Sequence, residues 1–258
     1  MANMWTNLSI SLANQRNYLD LLFRVYPTIP EDCREINKIL WNQIEIAYNN
    51  RDSQRLIRNL LQLDLFPIKD SYVAYLKRDA GAIARNPETV NRLAGRVFEM
   101  GLNKLFEKCS EPKETNRQIG PLFKNWIDSG ALGIMPVSYN EFVNAHGNAI
   151  FKGSDAEMMR FAREHLGYHR DKGLDFLGKF NGKYIIGEAK FLTDFGGHQN
   201  AQFADAISTL DAECDAIKIA ILDGVLYIPG SHKLYKGITE RNSYIMSALV
   251  LREFLYQV

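Results

Sequence analysis

The sequence predicts a mixed α/β or α+β protein: a small mixed central sheet flanked by helices, with a helical N-terminal region. Three observations predict it. Apolar residues recur at helical spacing through residues 1–110, a hairpin signal stands within residues 174–190, and strand-like residues at 217–228 precede a closing helical pattern at 240–256. The chain has 258 residues, of which 46% are hydrophobic and 24% charged, which suits one globular domain with a sizeable core. Within that domain, residues 1–110 read as a mainly helical subdomain and 150–258 as the α/β core.

The elements follow in order. Residues 35–48 (INKILWNQIEIAYN) and 53–63 (SQRLIRNLLQL) carry apolar residues at helical spacing, and Pro67 closes the second stretch. Asn86-Pro87 opens the clearest helix, an N-cap followed by proline in the first turn. Its stripe runs through Val90, Leu93, Ala94, Val97, Phe98, Gly101, Leu102, Leu105 and Phe106. Ser154 with Glu157 three residues on is a capping-box pattern, and Met158, Phe161, Ala162 and Leu166 form the apolar face behind it. After Gly167 the pattern changes to short aromatic and β-branched runs, 174–180 (LDFLGKF) and 184–190 (YIIGEAK). Between them stand Asn181 and Gly182, a pair suited to the positive φ angles of a type I′ hairpin turn. Residues 217–228 read as one or two further strands and 240–256 as a closing helix.

Composition excludes several classes of function. The net charge of +1 carries no global basic signature, so a nucleic-acid site must be a local patch. Cys33, Cys109 and Cys214 lack metal-ligand spacing and are odd in number, against both a zinc site and a disulfide framework. The start of the chain lacks a signal-peptide pattern, and no apolar run is long enough to span a membrane. A reducing cytoplasm and no membrane partner are expected. No Gly-x-x-x-x-Gly-Lys-Ser/Thr segment is present, which disfavours a motor-driven enzyme.

Hairpin arithmetic brings chemistry together. With a two-residue loop, Phe180 faces Lys183, and stepping outward along both strands sets Asp175 opposite Glu188. Lys190, two residues beyond Glu188, points to the same face. Opposed carboxylates destabilise a sheet and resist joint ionisation. A bound divalent cation removes that repulsion, and carboxylate and carbonyl oxygens suit magnesium, which can act as a Lewis acid on a phosphoryl oxygen. The lysine can orient a water or stabilise developing charge. The bland reading is a solvated strand face; the Asn-Gly turn and the apolar strands favour the chemical one.

Segment 173–190, GLDFLGKFNGKYIIGEAK, resembles the core motif of the PD-(D/E)xK nuclease superfamily, and most resembles a type II restriction endonuclease. Leu174 stands where the family pattern has proline. The resemblance implies a restriction-endonuclease-like core and a metal, Mg2+ with Mn2+ able to substitute, held by Asp175, Glu188 and the backbone carbonyl of Ala189. It further implies Lys190 near the attacking water, and sequence-specific hydrolysis of double-stranded DNA to 5′-phosphate and 3′-hydroxyl ends. A homodimer acting on a near-palindromic site in a prokaryotic cytoplasm completes that expectation. Many such nucleases add a glutamate from a helix before the aspartate strand; Glu157 is preferred over Glu99, although a capping role explains Glu157 equally.

DNA contacts are expected around this hairpin. His198, Gln199, Asn200 and Gln202 follow the Glu-x-Lys strand, and Asn and Gln can pair with adenine; an ordinary loop and helix is the alternative. Lys113, Arg117, Arg170 and Lys172 are candidate phosphate contacts, or solvated surface. Two other functions remain open at this level. One is a structure-specific repair or recombination nuclease of the same fold; the other is a non-catalytic DNA-binding module.

Overall fold

A computed structural model describes residues 2–28, 33–112 and 118–258. The chain forms two compact units, one of Met1–Ile29 with Thr115–Val258, the other of Pro30–Glu114. The helical grouping expected for residues 1–110 is thus divided. Helices α1 (Met4–Ala13) and α2 (Tyr18–Val25) belong to the unit that holds the sheet, because Trp5, Leu22 and Val25 bury their side chains in its core.

Among the described residues, the regular elements of the Pro30–Glu114 unit are helices: α3 (Lys38–Asn49), α4 (Ser53–Leu60), α5 (Ser71–Arg78), α6 (Ala82–Arg85), α7 (Pro87–Met100) and α8 (Leu102–Ser110). Ile44, Leu56, Ile57, Leu60, Val90, Leu93, Val97 and Leu105 build its core. The stripe from Val90 to Phe106 was expected to be one helix and is two. Gly101, at φ +81°, ends α7, and α8 starts at the next residue. Apolar spacing carries across the break because both helices face the same core.

The other unit continues with α9 (Ile119–Asp128), α10 (Tyr139–Val143), β1 (Ala149–Ile150), α11 (Asp155–Leu166), β2 (Phe176–Phe180), β3 (Lys183–Leu192), α12 (Gly197–Leu210), β4 (Ile217–Gly224), α13 (Lys233–Thr239), β5 (Tyr244–Met246) and α14 (Ala248–Gln257). Among the described residues, five strands form one sheet in the order β1-β2-β3-β4-β5. β1, β2 and β3 run antiparallel to their neighbours, whereas β3, β4 and β5 are parallel. Parallel neighbours need a crossover, and α12 and α13 lie in those two connections. This is the mixed sheet flanked by helices that the sequence predicts.

Alternation along the strands divides the core. Leu177 and Ile186 pack with Met158, Phe161, Ala162 and Leu166 of α11. Phe176, Phe180, Ile185, Ile219 and Ile221 pack on the opposite face with Phe123 of α9 and Leu251 and Phe254 of α14. The turn has the expected conformation, with Asn181 at φ 50° and Gly182 at φ 78°. Two short strands escaped the sequence reading. β1 has two residues and β5 three, too few to show a period, and β5 interrupts the closing helix expected over 240–256. The run at 217–228 is a single strand ending in a 3-10 turn at Val225–Tyr227.

Candidate active site

The hairpin register matches the arithmetic at all five pairs, from Phe180↔Lys183 out to Phe176↔Gly187. The ladder then stops one residue short of the expected Asp175–Glu188 pair. Asp175 occupies a bend immediately before β2, and its backbone N–H donates to the Gly187 carbonyl at 3.0 Å. Its carboxylate takes over where the backbone leaves: Oδ2 accepts the Ala189 N–H at 2.9 Å. Glu188 pairs across the other edge, with Ala220 of β4. Opposition is therefore by convergence of side chains and not by a shared ladder rung.

Lys190 closes the cluster. Its Nζ lies 2.5 Å from Glu188 Oε1 and 3.4 Å from Asp175 Oδ2. Glu188 and Lys190 follow Ile186 at two-residue steps, so all three share the sheet face that carries α11. Glu188 is buried, 3% exposed, while Asp175 and Lys190 are partly exposed. Burial and the neighbouring Asp175 charge push the Glu188 carboxyl above the usual glutamate range, with Lys190 and Lys172 opposing. For Lys190, burial acts to lower the pKa, but the two carboxylates outweigh it and the net shift is upward.

A divalent cation fits this set of donors. Among the described residues, Glu188 Oε2 is buried without a hydrogen-bond partner, a costly state for a carboxylate oxygen. The N–H and C=O of one strand residue leave the same edge, so the Ala189 carbonyl points to the side on which Asp175 sits. Two carboxylates and a carbonyl are hard oxygen donors suited to magnesium. No group of three or more His, Cys, Asp or Glu side chains able to hold a metal occurs among the described residues. Glu157 is held at the start of α11. It forms the capping box of α11, with Ser154 N–H and Oγ within 2.7 and 2.8 Å of its Oε2, and these bonds lower its pKa. Glu99 lies on α7 in the Pro30–Glu114 unit.

The expected DNA contacts separate into distinct groups. Lys113 and Arg117 lie outside the described residues. Lys172 points inward. Its ammonium is buried and lies 3.2 Å from Glu188 Oε1 and 2.9 Å from Asp205 Oδ2, ion pairs without hydrogen-bond alignment. Lys172, expected at a phosphate, thus lies beside Glu188 and Asp205. Arg170 donates to the Ser208 carbonyl near the end of α12. Gln199 is buried and exchanges hydrogen bonds with Thr193, at 3.2 and 3.3 Å, so it ties α12 to the end of β3. Asn200 donates to the Phe195 carbonyl at 3.3 Å. His198 and Gln202 sit one helical turn apart on the outer part of α12, 3.1 Å from each other.

Sequence reasoning missed Asp205. It lies seven residues beyond His198 and three beyond Gln202, so all three share one face of α12. That face runs from the polar first turn of the helix to the acidic cluster. Beside Asp175 opens a cleft of about 280 Å³, lined among others by Lys124, Lys152, Gly153 and Met158. Lys124 pairs with Asp155 and Lys152 with Asp128 at 3.5 Å, so both lysines stand at the rim with partners already in place.

No curated protein and no solved structure matched the chain. A family model did: Tsp45I type II restriction enzyme, over residues 3–258. That match takes in the sheet, the acid–lysine cluster on β3 and the helical unit together, and the chain belongs to the Tsp45I type II restriction enzyme family, the site-specific endonucleases of restriction systems.

Proposed function

We propose that this restriction endonuclease hydrolyses double-stranded DNA with Mg2+, using Asp175, Glu188 and Lys190 and leaving 5′-phosphate and 3′-hydroxyl ends. The observation that carries the reading is the convergence of Lys190 on both carboxylates beside the buried, unpaired Glu188 Oε2. Asp175, Glu188 and the Ala189 carbonyl would hold the cation. Once bound, the ion would stabilise charge on the phosphoryl oxygen and favour deprotonation of a bound water. Mn2+, with similar oxygen-ligand chemistry, would substitute.

The protein's own groups do the rest. The raised pKa of Lys190 keeps its ammonium charged, so it orients the attacking water as a donor and stabilises negative charge developing on the phosphate. Water adds in line to phosphorus as the bond to the 3′ oxygen breaks, which leaves phosphate on the 5′ side. His198 and Gln202 on α12 would reach bases or backbone, with Asn200 at the same turn. Gln199 supports them by anchoring the helix.

A homodimer would set two such sites about a two-fold axis and cut both strands. Sedimentation should then give twice the 29.5 kDa chain mass. Digestion of mapped duplex DNA with Mg2+ should yield discrete fragments with 5′-phosphates, and chelation should abolish them. Full cutting by Glu188→Ala or Lys190→Ala protein would refute the site.

A further inference from the structure

We infer that Lys172, anchored by Asp205 of α12, positions Glu188 so that only Oε2 faces the metal, and thereby favours Mg2+ over larger divalent cations. The inference rests on the metal site proposed above. Two ammonium groups, Lys172 at 3.2 Å and Lys190 at 2.5 Å, converge on the same oxygen, Glu188 Oε1. The other oxygen, Oε2, is buried and has no partner among the described residues. Lys172 differs from Lys190 in its tether: it is held at 2.9 Å by Asp205, whereas Lys190 shares itself between Glu188 and Asp175.

Division of labour follows. A lysine that serves the attacking water or the phosphate must be free to leave Oε1. The tethered lysine remains and keeps Oε1 occupied, so the carboxylate cannot turn both oxygens to one ion. Magnesium demands near-octahedral geometry and suits a single oxygen, while calcium accepts bidentate carboxylates and higher coordination. Lys172 is thus a positioning residue that acts through Glu188. Asp205 shares its helix face with His198 and Gln202, so the same element that carries proposed DNA contacts also holds the tether.

The test is metal competition in the DNA-free, full-length protein. Mn2+ binding is read from the paramagnetic resonance signal of the free ion, and Mg2+ or Ca2+ is then added to displace it. Lys172→Met should lower the ratio of Mg2+ to Ca2+ affinity about tenfold. Asp205→Asn, at an exposed side chain and with the lysine charge retained, should shift the ratio the same way by less. Lys172→Arg should restore most of it. Removal of one positive charge acts on both cations alike, so equal changes in both affinities, with the ratio constant in both variants, would overturn the role of Lys172. Failure of the wild-type protein to bind Mn2+ at all would instead overturn the metal site itself, and this inference with it.

Discussion

Asp223 shows how neutral donors hold a buried carboxylate. It is fully buried in β4 and accepts bonds from Tyr26 Oη at 2.9 Å, Ser247 Oγ at 2.5 Å and the Ala248 N–H at 3.2 Å, with Tyr18 Oη at 3.4 Å. Burial raises its pKa, and these donors only partly offset that. A folded pKa above the unfolded value means that the contribution to stability is complete below the unfolded aspartate pKa. It is lost as pH rises through the folded value. Asp223→Asn removes the ionisation, so the stability of wild type relative to the variant should fall as pH rises from about 4 to about 8. Urea unfolding in chelator measures this, and a constant difference across that range would contradict it. Glu188 is also buried, but it faces two lysines and its Oε2 has no hydrogen-bond partner among the described residues. Glu188→Ala and Lys190→Ala should each reduce cleavage about 10²–10³-fold or more while circular dichroism stays unchanged.

At the scale of elements, the β2–β3 hairpin and the bend before it position Asp175, Glu188 and Lys190. One residue of slip would turn Glu188 and Lys190 to the opposite face of the sheet. The turn holds the register: Asn181 and Gly182 both adopt positive φ, and the Asn181 side chain donates to the Val258 carbonyl at 2.9 Å. Gly182→Ala should therefore cost about 1 kcal/mol or more in denaturant unfolding, because an L side chain is strained at φ 78°. Helix α11 contributes from the other side. Its first residue, Asp155, accepts the Leu174 N–H at 3.2 Å, which fixes the chain next to Asp175. Glu157 serves this arrangement as a cap, and its pattern with Ser154 was plain in the sequence because a capping box is local.

For the whole molecule, two units each carry their own apolar core. Separate cores allow separate melting, so the calorimetric unfolding enthalpy should exceed the van't Hoff enthalpy. Equal enthalpies would show that the units unfold as one. Local rules made much of the fold and site readable. Asp175, Glu188 and Lys190 were brought together from a two-residue turn and period-two alternation, both properties of neighbouring residues. The Val90–Phe106 stripe was read correctly as helical, yet its break at Gly101 was not, since periodicity reports the buried face and not backbone torsion. What the sequence by itself determined was the chemistry and register of the hairpin, because turn type, alternation and capping act over a few residues. Only tertiary structure decided that Asp175 ends the ladder, that Lys172 turns inward and that Asp205 holds it. Those contacts join residues 16 to 33 positions apart through the packing of α12 on the sheet, and no local period encodes them.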